Sequence, residues 1–143
     1  MDTPSPPAQQ RPQLGFAAIV VAAGKGLRAG QALPKQFANW RGKPLLRHSV
    51  EALLRAGAKQ VAIAIPSGAE DIARNALAGI DDILFVTGGE TRQLSVRAAL
   101  ERLAPLSPDI VLIHDAARPI LPEAVVYRLL EALCAHRAAI PVL

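Results

Sequence analysis

The sequence predicts an α/β fold, a Rossmann-like, mostly parallel sheet with helices on both faces. Three observations carry that expectation. Short apolar runs alternate with longer segments whose apolar residues recur at helical spacing. The runs are continuously apolar rather than alternating, which suits strands covered on both faces. The repeating order is strand then helix, and that order favours parallel pairing with helical crossovers.

Residues 1–15, MDTPSPPAQQRPQLG, hold four prolines that deny helix and sheet their backbone donors; they read as a disordered lead-in to a domain spanning 16–143. FAAIVVA (Phe16 to Ala22) is the first expected strand, and Pro44 opens a helix with Leu46, Val50, Leu53 and Leu54 on one face. QVAIAIP (Gln60 to Pro66) is the second strand, with a weaker helical segment from Ser67 to Leu77. ILFVT (Ile83 to Thr87) precedes a helix at Ser95 to Leu103, whose expected stripe is Val96, Ala99, Leu100 and Leu103. IVLIHD (Ile110 to Asp115) leads to a helix begun by Pro122, with Val126, Leu129, Leu130 and Leu133 inward. The closing AAIPVL reads as a fifth strand in which the chain stops, so the sheet is expected to be truncated before it is complete.

The 143 residues, 51% hydrophobic, provide for one domain and its core. The net charge is +4, yet Lys25, Arg28, Lys35, Arg41, Lys43 and Arg47 lie together with no acidic residue among them, exceeding that total by themselves. A local anion site explains this better than a nucleic-acid coat, and five aromatics are thin material for base stacking. The single Cys134 excludes an intrachain disulfide and a cysteine-rich zinc site, and it is expected to pack in its helix. His48, His114 and His136 lack helix-borne metal spacing. The longest apolar run, eight residues, is far short of the ~20 that cross a bilayer, and it lacks the flanks of a signal peptide. No membrane partner and a cytoplasmic location are expected.

VAAGKGLRAGQALPKQF (Val21 to Phe37) leaves the first strand at its carboxyl end, where open parallel sheets bind ligands. Gly24 and Gly26 let backbone amides approach an anion, and Arg28 and Lys35 are long enough to reach phosphate oxygens. GxxxxGK[ST] is absent, and Ala29 replaces the third glycine of GxGxxG, which argues against Walker and NAD sites. Two further motifs follow at strand ends: GGETRQLSV (Gly88 to Val96) and HDAARP (His114 to Pro119).

In this order, AAGKGLR with PKQF, GGETRQLSV and HDAARP resemble the N-terminal half of the 2-C-methyl-D-erythritol 4-phosphate cytidylyltransferases. The resemblance implies a transfer from CTP to methylerythritol phosphate with release of pyrophosphate, in an isoprenoid pathway that does not use mevalonate. It also implies a homodimer of the full-length protein. Ala22, Ala23, Gly24 and Gly26 would wrap the triphosphate, with Arg28 and Lys35 as the catalytic cations. Gly88, Gly89, Glu90 and Ser95 would meet the cytosine and ribose, and Ala116 would leave room for the nucleotide. Asp115 would hold Mg2+ or another divalent cation. Thr91 and Leu94 stand where relatives often carry acidic residues.

For the remaining residues a simpler role stands beside the functional one. Arg92 is either a ligand contact or a solvated helix-start cation, Arg118 a clamp on its own loop, and His114 a hydrogen-bonding neighbour. Arg41, Lys43 and Arg47 either attract anions or face water. Pro141 and Val142 match the start of a PV-x-DT motif that the family continues beyond this chain. Some bacterial relatives are fused to the later cyclodiphosphate synthase. Two alternatives remain open: a sugar- or polyol-phosphate cytidylyltransferase, and a noncatalytic nucleotide-binding or assembly fragment.

Overall fold

The computed structural model describes residues 15–24 and 33–142. The proline-rich residues 1–14, and the stretch 25–32 with Lys25, Gly26 and Arg28, lie outside the described residues.

Strand β1 (Phe16–Val21) ends at the start of the first motif, and a 3-10 turn lies at Lys35–Phe37. A hairpin follows, β2 (Asn39–Trp40) and β3 (Lys43–Pro44). Periodicity did not predict it, because two-residue strands are shorter than any period. Its signal is Arg41-Gly42, whose φ values of +49° and +82° close a tight antiparallel turn. Helix α1 (Leu45–Arg55) starts directly after Pro44, its N-cap residue, one residue later than the sequence reading. Next come β4 (Gln60–Ile65), α2 (Glu70–Ala76), β5 (Ile83–Thr87), α3 (Arg92–Leu103), β6 (Ile110–Asp115) and α4 (Glu123–Leu133).

The four long strands form one parallel sheet in the order β5-β4-β1-β6. Alternation along β1 divides the core. Ala18, Val20 and Ala22 pack with Leu46, Val50 and Leu53 of α1 and Ala73 of α2, while Phe16 meets Val126 and Leu130 of α4. Ala17 and Ile19 face the other way, onto Ala99 and Leu103 of α3. Helices therefore cover both faces, three on one and α3 on the other.

The element boundaries differ from the sequence reading where a local bond decides them. Helix α3 begins at Arg92 rather than Ser95 because Thr91 caps it, its hydroxyl accepting the Leu94 N–H at 3.1 Å. Helix α2 begins at Glu70 because Gly68, at φ +79°, turns the chain first. Leu54 of α1 and Leu100 of α3 are exposed rather than inward; α3 buries Ala99 and Leu103 as expected, with Val96 packed beside them and Ser95 buried as well. The expected fifth strand is absent: residues 138–142 pair with nothing, and Ile140 and Val142 are exposed. Pro141 has no N–H to offer a ladder there. Cys134 is exposed rather than packed, because it lies one residue past the last turn of α4.

Candidate functional site

Parallel strands bring their carboxyl ends to one edge, and the register makes that edge level. Val21 of β1 stands beside Ala64 of β4 and Asp115 of β6. The described parts of the three motifs lie at this edge and border a cleft of about 750 Å³. Ala22, Ala23, Gly24, Gly89, Glu90, Ser95 and Asp115 line it, as do Thr91, Arg92 and Arg118. Gly88 and Ala116 do not reach the cleft surface and stand behind it. Ala116 is buried, and a Cβ on Gly88 would fall on the Cβ of Ala23 and the Ser95 hydroxyl. Gly88 is thus required where two of the loops touch. Lys35 is exposed, one residue before Gln36, which lines the cleft.

The rim is charged. Asp115 shares the sheet face of Val21 and Ile113, the face α3 covers, so Arg92 at the start of α3 reaches it. Its Nε and Nη2 donate to Asp115 Oδ1 at 3.2 and 3.1 Å, and Arg118 Nε stands 3.9 Å from Oδ2. Solvent-exposed pairs of this kind gain ~0–1 kcal/mol, since water competes for both partners. The carboxylate can therefore change partners at little cost when a ligand enters.

The floor is neutral and hydrogen-bonded. Gln36 Nε2 donates to the carbonyls of Ala22 and Gly24, at 2.6 and 3.0 Å. Ser49, in the middle of α1, aims its hydroxyl at the carbonyls of Ala116 and Arg118, both at 3.1 Å. Ser95 Oγ accepts the Gly89 N–H at 3.1 Å and donates to Thr91 O at 3.2 Å. The Ser95 side chain thus braces the second loop while bordering the cleft. His114 Nε2 lies 2.8 Å from Arg118 O, and since a carbonyl only accepts, that nitrogen carries the proton. Burial lowers the His114 pKa below 6.5, against the raising effects of that backbone bond and of the Asp115 charge.

Three cations of the basic stretch are used elsewhere. Lys43 and Arg47 both pair with Glu51, and Arg47 Nη1 also donates to the carbonyls of Ala76 and Ala78, tying α1 to the end of α2. Arg41 lies over the Trp40 ring at 4.3 Å. Sequence reasoning missed Gln36 and Ser49. The available signal was a serine between Leu46, Val50 and Leu53 on a buried helical face, and a glutamine inside PKQF.

Among the described residues no three His, Cys, Asp or Glu side chains gather to hold a metal, and no helix is long and apolar enough to cross a membrane. The description "2-C-methyl-D-erythritol 4-phosphate cytidylyltransferase" (IspD) matches residues 16–143. A bifunctional enzyme IspD/IspF of Erythrobacter litoralis is 62% identical over 100% of this chain and 36% of its own length. One from Novosphingobium aromaticivorans is 58% identical over 92% of this chain and 34% of its own length. The chain spans about a third of the length of these curated relatives. Among solved structures, a 4-diphosphocytidyl-2C-methyl-D-erythritol synthase from Anaerococcus prevotii superposes with a TM-score of 0.67 at 29% identity, over 85% of this chain and 52% of its own.

Proposed function

The chain belongs to the 2-C-methyl-D-erythritol 4-phosphate cytidylyltransferase family, and from that premise we propose that the full-length protein transfers a cytidylyl group from CTP to 2-C-methyl-D-erythritol 4-phosphate. The products are pyrophosphate and 4-diphosphocytidyl-2-C-methyl-D-erythritol. The observation that carries the reading is the meeting of the three motif loops in one cleft at the carboxyl edge of the sheet.

A phosphate-monoester oxygen of the acceptor attacks the α-phosphorus of CTP. The new P–O bond forms as the bond to the bridging oxygen of the β-phosphate breaks, and that oxygen leaves on pyrophosphate with the electron pair. The nucleophile is already anionic at neutral pH, so no strong base is needed; the difficulty is bringing two anions together. Arg28 and Lys35 are assigned to the oxygens of the transferred phosphorus, where preorganised positive charge favours the transition state. Backbone of residues 22–26 holds the triphosphate, and Gly89, Glu90 and Ser95 border the base and ribose.

Asp115 would hold a Mg2+, since a carboxylate at a cleft mouth suits a cation that rarely takes an all-protein cage. When bound, the ion neutralises charge on the triphosphate. The same reading makes the full-length protein a cytoplasmic homodimer.

The test is pyrophosphate release by the full-length protein with CTP, methylerythritol phosphate and Mg2+ together. Acceptor-dependent release is expected, with calorimetry giving tighter binding of CTP than of ATP. Equal affinity for CTP, UTP and ATP would remove the base-selective role of the second loop. Residues 1–143 alone are expected to bind some CTP without complete turnover, because in-line attack requires an acceptor pocket as well.

A further inference from the structure

The buried polar side chains among the described residues are Gln36, Ser49 and Ser95, and each is bonded to a different loop of the cleft. Ser95 already belongs to the proposed nucleotide contacts. From the other two we propose that Gln36 and Ser49 are positioning residues that turn backbone carbonyls out of the cleft so that amide donors face the nucleotide phosphates. The inference rests on the nucleotide-binding reading above.

The argument comes from the peptide unit. It is planar and trans, so its C=O and the N–H of the following residue point in opposite directions. Gln36 draws the Ala22 carbonyl toward itself at 2.6 Å, which turns the Ala23 N–H to the other side. Ser49 draws the Ala116 carbonyl toward α1 at 3.1 Å, which turns the Ala117 N–H away from α1. Ala23 and Ala117 both line the cleft, on the first and third loops. An outward carbonyl at either place would set a lone pair against a phosphate oxygen, whereas an amide there stabilises it.

The supports are themselves held. Ser49 is fully buried between Leu46, Val50 and Leu53 of α1, which pack against the sheet, and Arg118 O accepts from both Ser49 and His114. Gln36 is 5% exposed and spans from the 3-10 turn to two carbonyls of the first loop. Neither side chain offers a charge to a ligand. Their contribution is loop shape: Ser49 acts from behind the cleft through Ala117, and Gln36, which borders the cleft, spends its amide N–H groups on the Ala22 and Gly24 carbonyls and so acts through Ala23.

The experiment uses the full-length protein, with CTP and Mg2+ as the calorimetric probe and thermal melting and hydrogen exchange alongside. Gln36→Met keeps length and bulk without a donor, and Ser49→Ala removes the hydroxyl. Val50→Ala is the control, a neighbour of Ser49 that loses packing alone. Each clamp variant is expected to weaken CTP binding by about tenfold, the scale of one lost buried hydrogen bond. Exchange should quicken at 22–24 in Gln36→Met and at 115–118 in Ser49→Ala. Val50→Ala should bind CTP as wild type does, even at an equal or lower Tm, and Ser49→Thr, which keeps the donor, should bind better than Ser49→Ala. Gln36→Leu and Ser49→Cys carry the same expectation if the first pair fails to fold. Clamp variants that bind CTP like wild type overturn the inference alone, and so does a Val50→Ala variant that loses affinity equally. Wild-type protein that binds no CTP overturns the proposed function, and this inference with it.

Discussion

Around the rim of the cleft the side chains of Arg92, Arg118 and Asp115 are 57, 78 and 40% exposed, whereas Ser49 and Ser95 beneath them are 0 and 2% exposed. The two layers are built from opposite materials. Charges at the rim are paired weakly with one another, so they can exchange one another for phosphate or metal. The floor uses neutral groups, because a buried charge would cost more in lost hydration than its bonds return, while a neutral donor on a carbonyl is satisfied where it stands. Charge is thus kept where it can be exchanged and shape where it cannot.

The widest separation between the layers is expected in stability. Leu46→Ala removes a fully buried side chain under β1 and should cost about 2–5 kcal/mol in urea unfolding. A loss below about 1 kcal/mol would mean that the floor relaxes freely, and the contrast with the rim would fail. The next effect belongs to turnover. Arg28→Ala or Lys35→Ala should lower pyrophosphate release by the full-length protein by about a hundredfold, on the order of 3 kcal/mol, with Tm nearly unchanged. Near-wild-type turnover would take that residue out of the catalytic assignment.

Asp115→Asn sharpens the comparison at the rim. It should weaken Mg2+-dependent CTP binding by about tenfold while changing unfolding free energy by less than about 0.5 kcal/mol, since its partners are exposed. A large stability loss would show that the Arg92 and Arg118 contacts hold the loop together.

The smallest effect is the response of stability to pH through His114, which sits between rim and floor. Its folded-state pKa is lowered by burial, so the unfolded chain binds the proton more readily. The stabilising contribution is complete above pH 6.5 and is lost as pH falls from there toward the folded pKa. Melting in metal-free buffer across that window should show wild type declining more steeply than His114→Asn. Asp115 and Arg118 are the charged groups that act on the ring, and an unchanged slope would mean that burial does not disfavour the charged imidazole.

Much of the fold was legible because its signals are local. Continuous apolar runs such as QVAIAI and the Leu46-Val50-Leu53 spacing lie within a few residues of chain, and secondary structure responds to neighbours at that range. The places where that reading slipped are instructive. The expected stripe of α3 holds at Ala99 and Leu103, with Val96 packed beside them, but Leu100 is exposed and Ser95 is buried in its stead. Hydropathy ranks leucine above serine; the Gly89 N–H and Thr91 carbonyl that the Ser95 hydroxyl satisfies are partners it does not weigh. The six-cation stretch reads as an anion site in the sequence, but Lys43 and Arg47 turn to Glu51 and Arg41 to Trp40, partners that charge counting does not weigh.

By itself the sequence determined the α/β class, the order of the four sheet strands and four helices, and the motifs at strand ends, since each follows from residues adjacent in the chain. Tertiary structure alone decided which polar groups would meet. Ser49 bonds to carbonyls 67 and 69 residues away, and Arg92 reaches Asp115 across 23 residues. Those pairings depend on the register of β6 against β1 and on where α1 and α3 settle on the sheet. A hydrogen bond requires its atoms within about 3 Å of one another, and only packing of the whole sheet sets distances that finely.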